Sequence, residues 1–169
     1  MVTDEALMLQ FQRGSRDAFD ELFARHRQEL FGFFRRRLAN RERAEDLAQE
    51  TFLAMIRAIS RYQPRALVRT YLFGIAMNLL SAERRRERID HPTPGAEPAI
   101  GASHDEALWV REAMAKLDDV DREILMLREY EQLAYAEIAE LLRLPVNTVR
   151  SRLFRARMAL KSRLKAEEA

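Results

Sequence analysis

Residues 133–164, LAYAEIAELLRLPVNTVRSRLFRARMALKSRL, decide the fold. Apolar residues recur there at helical spacing in two runs. Ile138, Ala139, Leu141 and Leu142 form the first; Val146, Val149, Leu153, Ala156, Leu160 and Leu164 form the second. Pro145 stands between them, where a first-turn proline fits because its missing N–H would have no helical partner. The pattern predicts a helix-turn-helix. Charge changes sharply at the same place. Residues 143–165 carry eight cations and no acid, whereas residues 103–142 carry eleven acids and four bases. That edge, at that motif, points to DNA. The plainer alternative is a solvated basic face on a helical bundle, which the turn, the proline and the stripe together disfavour.

The side of the second helix opposite its apolar stripe presents Asn147, Arg150, Ser151, Phe154, Arg155 and Arg157. An inserted helix reads bases mainly with its N-terminal part. Arg150, Ser151, Phe154 and Arg155 are therefore the candidates for base contacts. Arginine can pair with guanine O6 and N7, and an aromatic edge can pack on a thymine methyl. Arg143, Asn147, Arg157, Lys161 and Lys165 are placed for phosphates.

Outward from this motif, nearly everything reads as helix. Valine, isoleucine and threonine are sparse and no alternating pattern appears, so the expected class is all-α. Ser15 is expected to cap a helix that buries Phe19, Leu22, Phe23, Leu30, Phe31, Phe34 and Leu38. A short helix precedes it. Asn40 caps the next, with Ala44, Leu47, Ala48, Phe52, Met55, Ile56 and Ile59 inward. A third, about Val68 to Arg88, packs Leu72, Ile75, Ala76, Leu79 and Leu80. Residues 89–103, IDHPTPGAEPAIGAS, hold three of the five prolines and two of the five glycines. They read as a flexible linker between small domains at 1–88 and 104–169. Such a linker reaches roughly 50 Å extended and about 20 Å as a relaxed coil. After it, Leu108, Val110, Met114 and Leu117 mark one helix. Asp118 or Asp119 caps another, carrying Ile124, Leu125, Leu127 and Arg128.

Other function classes find little support. There is no cysteine, hence no disulfide framework or thiol switch. The start, MVTDEALMLQF, lacks a signal-peptide core, and no apolar run approaches the ~20 residues that span a bilayer. A cytoplasmic location without membrane insertion is expected. Three histidines occur, His26 in a helix and His91 and His104 at the linker, and none has a neighbour at ligand spacing. No Gly-rich phosphate loop and no GxSxG is present. The chain is expected to need no cofactor or metal and not to be an enzyme. Of its 29 cations 26 are arginine, the residue suited to bidentate phosphate and guanine contacts.

The sequence resembles the extracytoplasmic-function (ECF) sigma factors of bacterial RNA polymerase. LDDVDREILMLREYEQLAYAEIAELLRLPVNTVRSRLFRARMAL is similar to the family's fourth conserved region, which binds the −35 promoter element. DAFDELFARHRQELFGFFRRRL, AEDLAQETFLAMIRAISRY and TYLFGIAMNLLSAERRR are similar to its second region. The order, the spacing and the Pro-rich linker agree as well.

The resemblance implies roles. Asp46, Gln49, Glu50 and Leu53 fall where sigma factors meet the coiled coil of the largest polymerase subunit; the flap is a second contact. Tyr62, Arg65, Arg69, Tyr71 and Asn78 fall in the −10 recognition and melting region. Melting needs aromatic platforms, cations that track a backbone and a place for an extruded base. Arg84, Arg85, Arg86 and Arg88 are implied phosphate contacts downstream. The partners implied are core RNA polymerase, promoter DNA and an anti-sigma factor, the free protein being a monomer.

There are departures. Tyr71 stands where tryptophan is usual. Gln132, Arg143 and Asn147 stand where glycines are frequent, and a left-handed backbone without glycine costs about 1 kcal/mol or more. Ala134 replaces a capping serine or threonine, a loss of ~1 kcal/mol. The melting loop, PRALVR, lacks the usual small residues. A two-domain regulator with a similar C-terminal motif is the rival reading. It would need an upstream receiver or ligand pocket with strands, and the N-terminal half offers none.

Overall fold

The computed structural model describes residues 1–90 and 108–168. They are all-α, in two compact units spanning Met1–Gly101 and Ala102–Ala169. The N-terminal unit holds α1 (Asp4–Gln12), α2 (Arg16–Arg37), α3 (Arg41–Ala58) and α4 (Val68–Asp90), with a 3-10 turn at Ile59–Arg61. The C-terminal unit holds α5 (Leu108–Ala115), α6 (Asp119–Glu129), α7 (Tyr135–Leu142) and α8 (Val146–Glu168).

Local signals start and stop the helices. Thr3, Ser15 and Asn40 each accept a backbone N–H three residues on, at 3.2, 3.3 and 3.1 Å. Each such cap contributes about 1 kcal/mol. α1 ends in a Schellman turn. Ser15 N–H reaches Gln10 O at 3.0 Å, Gly14 N–H reaches Phe11 O at 2.9 Å, and Gly14 takes φ +103°. That φ needs glycine.

In the N-terminal unit α2, α3 and α4 pack around Leu22, Leu30, Phe33, Phe34, Leu47, Met55, Leu72 and Phe73, all almost wholly buried. Three expected core residues of α2, Phe19, Phe23 and Phe31, are only half-buried. The helical sector that faces the other helices is set by Phe33 and Phe34 instead. Phe19 and Phe23 lie at its edge, against Phe11 and Phe52. Ile56 is exposed, while Ile59, Ile75 and Leu79 are half-exposed. α4 runs on through Ile89 and Asp90, two residues expected in the linker. The remaining linker residues, with His91 and His104, lie outside the described residues.

The C-terminal unit packs α5, α6 and α7 against α8. Its core is Met114, Leu117, Ile124, Leu127, Leu133, Ile138, Val149, Leu153 and Ala156. The ends of the expected α8 stripe are less covered: Val146 is exposed, and Leu160 and Leu164 are half-exposed. Leu108, at the start of α5, is also exposed.

Candidate nucleic-acid and polymerase interfaces

The turn between α7 and α8 is built by backbone strain. Leu144 N–H reaches back to Ala139 O at 3.0 Å and Arg143 N–H to Glu140 O at 3.4 Å, with Arg143 left-handed at φ 55°. This is again the Schellman pattern, here without glycine. Gln132, just before α7, is left-handed too, at φ 56°. Asn147 is not; it lies in the first turn of α8, so the expected cost of a missing glycine does not arise there. Ala134 caps α7 without a side-chain acceptor, and only half of a capping box remains: Glu137 accepts the Ala134 N–H at 3.3 Å.

This turn buries Val149, Leu153 and Ala156 and leaves Asn147, Arg150, Ser151, Phe154 and Arg155 exposed on the far side of α8. Phe154 is 65% exposed, which no core role explains. Arg150 donates to Asn147 Oδ1 at 3.2 Å and lies 6.0 Å from the Tyr135 ring. Ser151 Oγ donates to Thr148 O at 3.2 Å, which leaves its oxygen open as an acceptor. The bases of α8 divide into two sets. Arg152 is held by Asp118 at 3.3 Å and Asp121 at 3.0 Å; Arg157 is held by Glu129, with Nε 3.0 Å from Oε1. Arg157, expected at phosphates, is therefore already paired within the unit. Arg155 and Lys161 are exposed, and neither has a carboxylate partner among the described residues.

On α3, Asp46, Gln49, Glu50 and Leu53 share one face by their spacing of three, four and seven. Asp46, Gln49 and Leu53 are exposed, Leu53 by 46%, and Glu50 is half-exposed. Sequence reasoning missed Arg43, one turn earlier. Its guanidinium grips Glu83 of α4 at 2.6 and 2.8 Å and lies 3.9 Å from Asp46 and 3.7 Å from Glu50. Glu83 is 6% exposed. The hydrogen bonds from Arg43 hold its carboxyl below the usual glutamate range, against the opposing effect of burial. The position of Arg43 three residues before Asp46 was the available signal; its partner, forty residues on, was not.

On α4, Tyr71, Asn78 and Arg85 recur at seven-residue intervals and form one stripe. Tyr71 is half-exposed; Asn78 and Arg85 are exposed, as is Arg88. Arg65 is exposed in the preceding loop, residues 62–67, and Arg69 is half-exposed. Two expectations need correction. Tyr62 is only 6% exposed, so its ring is no open platform; it stands edge-on beneath Tyr71 with ring centroids 5.4 Å apart. Burial pushes the pKa of both phenols up, so neither is charged near neutral pH. Arg86 pairs with Glu83 at 2.9 Å, and Arg84 is half-buried in a polar hollow beside Arg37, Asn40 and Glu87. The open cations of the run are Arg85 and Arg88.

The chain matches Sigma-70 region 2 over residues 22–89 and Sigma-70 region 4 over residues 107–160. Its relatives include the RNA polymerase sigma-H factor of Pseudomonas aeruginosa, 32% identical over 93% of this chain and 91% of that protein. The ECF sigma factor SigC of Mycobacterium tuberculosis is 34% identical over 92% of this chain and 88% of that one. Among solved structures, CnrH in complex with the cytosolic domain of CnrY has a TM-score of 0.74 at 27% identity. That match covers 96% of this chain and 97% of that one.

The chain belongs to the ECF sigma factors.

A sigma factor directs promoter-specific transcription initiation with RNA polymerase. No described helix of this sigma factor is long and apolar enough to cross a membrane. Among the described residues no group of three or more His, Asp or Glu side chains is placed to hold a metal ion. One histidine was nevertheless misjudged. His26 is buried between two carboxylates, with Nε2 2.8 Å from Asp4 Oδ2 and Nδ1 3.5 Å from Glu29. The second distance is an electrostatic contact, longer than a well-formed hydrogen bond. Burial disfavours the charged imidazole, but Glu29 and Asp4 together outweigh it and raise the pKa above its ordinary 6.5.

Proposed function

We propose that this sigma factor divides promoter reading between its two units. The C-terminal unit reads −35 duplex through the open face of α8. Arg150, Ser151, Phe154 and Arg155 meet base edges, and Arg143, Asn147 and Lys161 meet phosphates. The N-terminal unit holds melted −10 DNA between the 62–67 loop and the Tyr71–Asn78 stripe of α4. Arg65 and Arg69 track the strand, with Arg85 and Arg88 on phosphates downstream. The observation that carries this reading is the sorting of charge on α8. Arg152 and Arg157 are paired with α6 acids, while Arg155 and the 65%-exposed Phe154 are left open to a partner.

Core polymerase is gripped twice. The Asp46–Gln49–Glu50–Leu53 face meets the largest-subunit coiled coil. An apolar hollow of about 380 Å³, lined by Val110, Met114, Leu125, Leu160 and Leu164, seats the flap. An anti-sigma factor competes for the first of these. Support comes from the exposed Leu53 and Ile56, 46% and 37%, and from the relative CnrH, solved with the cytosolic domain of CnrY.

Run-off transcription with core polymerase tests this. The expected result is specific initiation that is lost in F154A/R155A and in Y71A. Initiation unchanged in F154A/R155A on duplex promoters would refute the −35 assignment.

A further inference from the structure

We propose that α1 is a splint for the melting loop, and that Gln12 and Glu5 are positioning residues for capture of the opened −10 strand. This rests on the assignment of the 62–67 loop given above.

The loop has exposed Gln63, Pro64, Arg65 and Leu67 around its tip. Its two ends are tied to the same nine-residue helix. At the entry, Gln12 Nε2 donates to Ile59 O at 2.9 Å and to Tyr62 O at 3.0 Å. At the exit, Glu5 Oε1 accepts the N–H of Val68, the first residue of α4, at 3.0 Å. Glu5 and Gln12 are seven residues apart, so they project from one face of α1, about 10 Å apart along its axis.

The splint is itself fixed. Leu7 and Met8 are buried, Asp4 binds both Arg25 and His26, and the Gly14 turn sets the angle to α2. Gln12 also acts through a second residue. It holds the backbone of Tyr62, whose buried ring supports Tyr71 from below. Removing the two ties leaves carbonyls and a helix-terminal N–H for water to satisfy, and the loop then samples other shapes. Capture of an extruded base needs the loop in one shape before the base arrives, so that ordering is not charged against binding.

The test uses holoenzyme formed from the full chain and core polymerase, on a promoter selected by this holoenzyme from a random-sequence library. Q12M and E5M remove the hydrogen bonds at nearly constant volume; E5Q keeps the acceptor. Permanganate reactivity of −10 thymines reports opening on duplex DNA, and a template with a pre-opened −10 bubble bypasses it. Q12M and E5M are expected to slow opening on duplex about tenfold, the scale of one or two net hydrogen bonds. They are expected to keep wild-type affinity for core, to recover on the bubble, and to discriminate −10 single strands less well. E5Q should match wild type.

Wild-type opening by Q12M and E5M overturns the proposal. So does an equal loss of core affinity and of bubble activity, which would mark α1 as a general stability element. R65A and Y71A serve as the control on the loop itself. If they open DNA normally, the loop assignment and the splint both fall; if they are impaired while Q12M and E5M are not, only the splint falls.

Discussion

Arg143 sits in the left-handed region at φ 55° with its side chain exposed. The conformation costs a non-glycine residue about 1 kcal/mol or more, and the same side chain is a proposed phosphate contact. The two roles separate on substitution. R143G is expected to raise the urea-unfolding stability of the chain by about 1 kcal/mol while weakening promoter binding and flattening its salt dependence by about one counterion. A parallel contrast holds between Arg155 and Arg88. R155A should lose about 1–3 kcal/mol of discrimination at one −35 base pair, whereas R88A should weaken all sequences alike, as competition binding would report. The strain at Arg143 was legible only through the resemblance, in which glycine is frequent at that place; the same signal at Asn147 led to no left-handed residue. Tyr62 was misread for a related reason. An aromatic beside a proline in a loop gives no sign of which way its ring falls, and the ring falls inward, under Tyr71.

The helices were legible where their signals are local. Ser15 and Asn40 cap the helices they were expected to cap, since a cap needs only the three residues that follow. What depends on distant partners was not legible. Phe31 and Phe33 differ by two positions in α2, and only the packing of α3 and α4 selects Phe33 for the core. His26 gives no hint of Asp4, which reaches it from α1, twenty-two residues earlier. That contact has a pH signature. The folded pKa of His26 is raised above 6.5, so its contribution to stability is complete below the unfolded value and is lost as pH rises through the folded one. Unfolding free energy of the wild type should therefore decline relative to H26Q as pH rises above about 6.5. The Arg43–Glu83 link between α3 and α4 has the opposite sign. The Glu83 carboxyl is depressed, so its contribution stands above the unfolded pKa and disappears as pH falls through the folded one. E83Q should remove that acid-side loss in the same titration.

At the scale of the molecule, two compact units carry the three faces proposed above: α3 for polymerase, the loop and α4 for opened DNA, α8 for duplex. Each unit alone offers little contact area to DNA. The free chain is accordingly expected to give no joint footprint of both promoter elements, and the holoenzyme to give both; protection of the two elements by the chain alone would remove the need for polymerase to set their register. Both units were visible from sequence because each repeats a helical apolar period. The charge sorting within the C-terminal unit was not, because it needs α6 and α8 side by side.

That sorting also leads to an expectation for DNA the protein is not meant to read. By tying Arg152 and Arg157 to Asp118, Asp121 and Glu129, the domain keeps part of its own cationic charge out of circulation. Every phosphate contact withheld removes one unit of counterion release from indiscriminate binding and leaves base readout untouched. E129Q should steepen the salt dependence of binding to random DNA by close to ~0.9. The chromosome is an immense reservoir of such sites. A sigma factor that pairs two of its own arginines is expected to be a poorer guest in that reservoir, with more of its copies left available to the polymerase.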